Sequence, residues 1–168
     1  ATNVNAMSLA STSLNSGGLL SLVLAAGGTL DASVAGFSKD SGGALKIYGS
    51  TGSETVTIGT SSFGTNTNDT ISDSSGSTDT LVVTGNGALD FTKIAGMEVV
   101  DLTNYAYSGA LTTSVGTSET VKIDSAYTSI NLGSSANDQL YITANTVDLS
   151  SSALSGIESF YVASGAAL

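Results

Sequence analysis

The chain contains no cysteine, histidine, arginine, proline or tryptophan. Without cysteine there is no disulfide framework and no thiolate metal site. Without histidine and cysteine, Ser-His-Asp and Cys-His catalysis are excluded, and zinc loses its usual donors. The paired carboxylates of glycoside hydrolysis could be drawn from the 14 acids, but nothing in the sequence marks out a pair. The chain therefore reads as a protein that is not an enzyme. Positive charge is scarce as well. Lys39, Lys46, Lys93 and Lys122 stand against those 14 acids, for a net charge of −10. Such a surface disfavours nucleic acid and suits divalent cations. No run is long enough to span a membrane. The apolar stretch "LLSLVLAA" at 19–26 has no positive residue before it, so it reads as a buried strand rather than a signal-peptide core.

What is present suits short strands and tight turns. Apolar residues make up 40% of the 168, enough for a core, but only 6% are aromatic, so that core must be built from Val, Leu, Ile and Ala. The 20 glycines and the many Ser and Thr residues supply turns and outward strand positions.

A repeat organises the chain. Six acids each lead a short apolar or alternating strand: Glu54 in "ETVTI", Asp79 in "DTLVV", Glu98 in "EVVDL", Glu119 in "ETVKI", Asp138 in "DQLYI" and Glu158 in "ESFYV". They are separated by 25, 19, 21, 19 and 20 residues. A period near 20 predicts an all-β parallel β-helix, or β-solenoid, with one coil per period. Alternate residues such as Val56/Ile58, Val121/Ile123 and Leu140/Ile142 would form interior ladders. Second strands are expected midway, at 88–94, 109–115, 128–133 and 145–150. The coil from 54 to 79 is longer, and its surplus is expected in a loop. Residues 1–44 blur the period and read as irregular N-terminal coils with a cap, and 45–168 as the regular coils of the same continuous domain. The alternative is an antiparallel β-sandwich with strands every ten residues.

The leading acids raise a question of charge. Stacked coils would place them about 4.8 Å apart, where like charges repel by roughly 1 kcal/mol per pair even in water. They can cap backbone N–H groups at turns, splay into solvent, or hold a cation between coils.

Some turns carry a family resemblance. "GSSANDQLYI" at 133–142 and "GTNTNDTISD" at 64–73 resemble RTX nonapeptides, Gly-Gly-x-Gly-x-Asp followed by an alternating apolar run, although most turn glycines are here Ser, Thr or Ala. "IAGMEVVDL" at 94–102 and "LSGIESFYV" at 154–162 resemble a segment of bacterial surface-layer and RTX-type surface proteins. The resemblance implies Ca²⁺ as a cofactor, held by turn carboxylates and carbonyls. In this chain it points to "NDTISDSSGSTD", with Asn68, Asp69, Asp73, Gly76 and Asp79, and to Asn137 with Asp138.

The resemblance also implies a secreted, extracellular structural protein of the bacterial cell surface, whose partner is itself. Uncharged terminal segments, "NAMSLASTSL" at 5–14 and the stretch after Glu158, favour head-to-tail assembly into a surface layer or filament. The alternative is a module of a large adhesin, either a spacer or a glycan- or cell-binding unit, with Tyr105, Tyr107, Tyr127, Tyr141 and Tyr161 as a sugar-binding stripe.

Overall fold

The computed structural model describes residues 2–10, 12–34, 37–73, 78–113, 118–144 and 146–164. In chain order its strands are β1 (Thr2–Ser8), β2 (Ser13–Leu14), β3 (Leu19–Ala32), β4 (Ser38–Lys39), β5 (Ala44–Tyr48), β6 (Thr55–Gly59), β7 (Thr70–Ser72), β8 (Thr80–Gly85), β9 (Ile94–Ala95), β10 (Val99–Tyr105), β11 (Ala110–Thr112), β12 (Thr120–Ile123), β13 (Ser129–Asn131), β14 (Gln139–Ile142), β15 (Ala153–Ser155) and β16 (Ser159–Val162). Strands of successive coils pair in parallel, and the chain is a β-solenoid of about six turns. Parallel pairing throughout rules out the antiparallel sandwich.

The long strand β3 belongs to two walls. Its first half, Leu19–Val23, pairs with β5, and its second half, Thr29–Ala32, pairs with β6. Between the halves Gly27 takes φ +72°, a left-handed conformation that glycine adopts without steric cost. The first wall continues through β5, β7 and β9. The second continues through β6, β8, β10, β12, β14 and β16. A short third wall of β11, β13 and β15 takes over as the first ends.

Along the second wall the register runs Thr29, Thr55, Thr80, Val99, Thr120, Gln139 and Ser159, in steps of 26, 25, 19, 21, 19 and 20 residues. The period read from the acids is thus the coil itself. The inward residues stack as expected: Leu30, Val56, Leu81, Val100, Val121, Leu140 and Phe160 form one ladder, and nearly all are buried. Burying each such side chain contributes about 1.5–3 kcal/mol, and neighbouring coils share the gain.

Three local expectations need correction. The surplus of the 54–79 coil is not only loop: it includes β7, which extends the first wall. The segment at 88–94 is mostly turn, with a one-turn 3-10 helix at Phe91–Lys93. Asp90 causes this, because its carboxylate accepts from the Thr92 N–H at 3.0 Å and the Thr92 hydroxyl at 2.5 Å, closing a local turn that competes with extended chain. Residues 146–150 carry no strand; the third wall resumes at β15. Asp148, whose carboxylate accepts from the Ser150 N–H, again makes the turn.

Candidate functional site: an interior acidic ladder

Each strand-leading acid sits where the chain turns from one wall into the second. There the first N–H of a strand points along the stack, and the next coil supplies its acceptor. The Gly27 N–H donates to Glu54 Oε1 at 3.0 Å, the Glu54 N–H to Asp79 Oδ1 at 2.7 Å, and the Asp79 N–H to Glu98 Oε2 at 2.8 Å. Further along, the Glu119 N–H donates to Asp138 Oδ1 at 2.9 Å and the Asp138 N–H to Glu158 Oε2 at 2.8 Å. The acids neither splay nor merely repel. Glu54, Asp79, Glu119 and Asp138 are buried, and the carboxylates of Glu54, Asp79, Glu98, Asp138 and Glu158 each cap an amide of the coil before. The Glu119 carboxylate instead accepts the hydroxyl hydrogen of Thr113.

The two near-identical lead-ins, "IAGME" and "LSGIE", are one device used twice. Gly96 (φ +77°) and Gly156 (φ +65°) press against the carbonyls of Asp73 and Gly133, where a Cβ would lie 2.0 and 2.2 Å from the oxygen. That close approach lets Glu98 and Glu158 bond reciprocally with the preceding coil. The carboxylate takes the Asp N–H, while the Glu N–H donates to the same Asp carbonyl, at 3.1 Å for Asp79 and 3.0 Å for Asp138.

A second group of acids closes local turns. Asp31, Asp90, Asp101 and Asp148 each accept from the N–H two residues on, at Ser33, Thr92, Thr103 and Ser150. These bonds, from the Thr92 and Ser150 hydroxyls first, hold the carboxyls of Asp90 and Asp148 below their ordinary range.

The residues expected to bind metal divide among three places. Asp69 is buried and already partnered: it accepts from Leu45, Gly64 and Asn66 N–H groups at 2.9–3.1 Å and from Lys39 Nζ at 3.0 Å. Three of those donors converge on Oδ2 and the Leu45 N–H takes Oδ1, and the Lys39 ammonium neutralises the carboxylate. Asn68 is exposed, its N–H bonded to Asn66 Oδ1. Asn137 is exposed with φ +76°, and Asp138 lies in the ladder. Gly76 lies outside the described residues. Asp73 and Asp79 do come together, and Glu54 joins them. Each offers a carboxylate oxygen, all lie within 4.8 Å of one another, and all three residues are buried.

This triad is electrostatically uneven. Burial pushes Asp79 up most; the Glu54 N–H opposes it, and the carboxylates of Asp73 and Glu54 add to the rise, leaving Asp79 at about 7. Burial also pushes Glu54 up, but hydrogen bonds from the Ser50 hydroxyl, from Asp79 and from the Gly27 N–H outweigh it and hold Glu54 below its ordinary value. Glu54 Oε2 is buried, and no donor reaches it among the described residues. Sequence reasoning placed Glu54 in the repeat but not in the triad. The usable signal was its equivalence to Asp79 one coil later.

The tyrosines form no single stripe. Tyr105 and Tyr127 are buried, and burial pushes the Tyr105 hydroxyl up to about 12. Tyr105 stacks on Tyr107 with ring centroids 5.6 Å apart, and Tyr141 on Tyr161 at 6.4 Å.

Fold and ladder together define a parallel β-solenoid whose coils are joined by buried carboxylate caps. Set against known proteins, the chain matches no family model, no curated protein and no solved structure. Among the described residues no helix is long and apolar enough to cross a membrane.

Proposed function

We propose that the protein is a structural element of a bacterial cell surface, secreted and self-assembling, in which copies stack head to tail along the solenoid axis. The observation that carries this reading is the exposed apolar face of β15 and β16. The interior ladders run on into Leu154, Phe160 and Val162, which are 41%, 47% and 42% exposed, while the residues they stack on, Ile130, Leu140 and Ile142, are 0% exposed. Among the described residues the apolar ladders thus reach the surface at β15 and β16, and β16 pairs only with β14. At the other end of the same wall, β1 pairs only with β3 among the described residues, and its sequence carries no charged residue. A second copy adding its β1 to β16 continues both the parallel hydrogen bonding and the ladder. Such a heterologous contact propagates unless its rotation closes a ring.

The test is negative-stain electron microscopy with light scattering across a concentration series. Filaments or sheets are expected for the wild type. Phe160→Glu is expected to give folded monomers, with the β signal retained in circular dichroism. A wild-type chain that stays monomeric at every concentration refutes assembly, and retention of carbohydrate by that monomer on a glycan array would replace it with the adhesin module.

A further inference from the structure

We propose that Asn86 is a site of spontaneous deamidation, and that the Thr60 hydroxyl of the preceding coil sets its rate. Of the asparagines in the sequence only Asn86 is followed by glycine. Glycine carries no Cβ to shield its nitrogen, so at this dipeptide the backbone reaches the side-chain amide most easily. Both residues are exposed, just after β8. The reaction needs only solvent. Hydroxide takes the Gly87 N–H proton, the nitrogen attacks Asn86 Cγ, and the Cγ–Nδ2 bond breaks as ammonia leaves with a proton from water, which restores the hydroxide. Water then opens the succinimide at one carbonyl to give aspartate, or at the other to give isoaspartate. No group changes oxidation state.

The fold holds this attack back. The Gly87 N–H donates to Thr60 Oγ1 at 3.1 Å, and the Gly87 carbonyl accepts from the Tyr105 hydroxyl at 2.9 Å. One partner lies 27 residues behind, in the preceding coil, and the other 18 residues ahead, in the following one. Thr60 is itself fixed, because its N–H donates to the Thr84 carbonyl at 3.1 Å. Its Oγ1 lies so close to the turn that a Cβ on Gly85 would sit 2.4 Å from it. The nucleophilic nitrogen is thus pinned between two coils, and it must leave Thr60 before it can turn onto Cγ. Isoaspartate inserts a methylene into the main chain just before Gly87 and shifts both of its polar groups from their partners. Modification therefore releases a clamp between coils and adds a negative charge to a chain already at −10.

The test uses the full chain, aged at mildly alkaline pH both folded and unfolded in urea. Isoelectric focusing and peptide mass mapping with isoaspartate detection follow the product. The unfolded chain should gain one negative charge, mapped to residue 86, faster than the folded one. Thr60→Val keeps the shape and removes the acceptor, and should speed the folded reaction about two- to tenfold, the worth of one hydrogen bond. Gly87→Ala places a Cβ at an ordinary 3.4 Å from Thr60 Oγ1 and shields the nitrogen, so it should slow the reaction in both states. Ile123→Ala, a destabilising change away from this turn, should leave the folded rate unchanged. If Thr60→Val fails to fold, Tyr105→Phe, which frees the Gly87 carbonyl, decides the matter and should also speed the folded reaction. Modification mapped elsewhere, or an unfolded chain no faster than the folded one, would overturn the proposal. So would a wild-type rate in the folded Thr60→Val chain, or in Tyr105→Phe where it stands in, or an equal acceleration by Ile123→Ala.

Discussion

Asp138 separates capping from charge. Its carboxylate is buried at 0% exposure, Oδ1 accepts the Glu119 N–H at 2.9 Å, and Oδ2 is buried without a hydrogen-bond partner among the described residues. Replacing it with alanine leaves the Glu119 N–H buried without its acceptor, a cost of about 1–3 kcal/mol. Asn keeps an acceptor oxygen where Oδ1 sits and replaces an unpartnered charged atom with a neutral amide, which is cheaper to bury. Asp138→Ala should therefore lose about 2 kcal/mol, while Asp138→Asn should stay within about 0.5 kcal/mol of wild type. In urea unfolding followed by circular dichroism, with chelator present, a slope of about 2 kcal/mol/M turns the alanine loss into a midpoint drop of about 1 M. The slope must be unchanged, since a changed slope would mean that coils unfold separately. If Asp138→Asn loses as much as Asp138→Ala, the negative charge is what the fold uses, and the capping account is wrong. If neither variant moves the midpoint, the cap contributes nothing.

Three further outcomes follow from the geometry. Ile123→Ala opens a cavity in the ladder between Ile123 and Ile142, both fully buried, and should cost about 2–5 kcal/mol in the same urea assay; a loss under about 1 kcal/mol would mean the coils collapse onto the gap. Gly96→Ala must fit a Cβ 2.0 Å from the Asp73 carbonyl at φ +77°, and should cost about 2 kcal/mol or more, whereas Gly17→Ala, at φ +79° with open space around it, should cost about 1–2 kcal/mol. In chelator, stability should fall as pH rises from about 5 to 8. Asp79 binds its proton more tightly folded, at about 7, than unfolded, at about 3.9, so its contribution is complete below the lower value and lost through the upper one. No histidine or cysteine titrates in that window, so Asp79→Asn should flatten the profile, and an unchanged profile in that variant would assign the effect elsewhere.

The coil period and the inward ladders were legible because both depend on features that recur in one dimension: an acid, then alternating apolar residues. Every step between Glu54 and Glu158 reappears as a pairing register. The first wall was not legible, because β7 is three residues, "TIS", inside a polar stretch, and it becomes a strand only by pairing with β5 and β9. The acids at 69, 73 and 79 looked like one group because they are close along the chain. In a solenoid, proximity follows the coil instead. Asp69 finds Lys39 30 residues back, and Asp79 finds Glu54 25 residues back. The capping role itself was visible as an option, but its acceptors and donors lie a full coil apart, where local turn reasoning does not look.

The reciprocal bonds at Glu98 and Glu158 bear on how such a chain can lengthen. An acid of the Glu54, Asp79, Glu119 or Asp138 kind leaves its own N–H to be satisfied by the coil that follows. Glu98 and Glu158 return theirs to the coil behind. A boundary placed just after a Gly-apolar-Glu turn therefore strands no leading amide, whereas a boundary placed after any other coil strands one. The two turns lie 60 residues apart, three coils of the second wall. A block of three coils that ends on such a turn therefore asks no acceptor for its leading amide from the coil that comes after it.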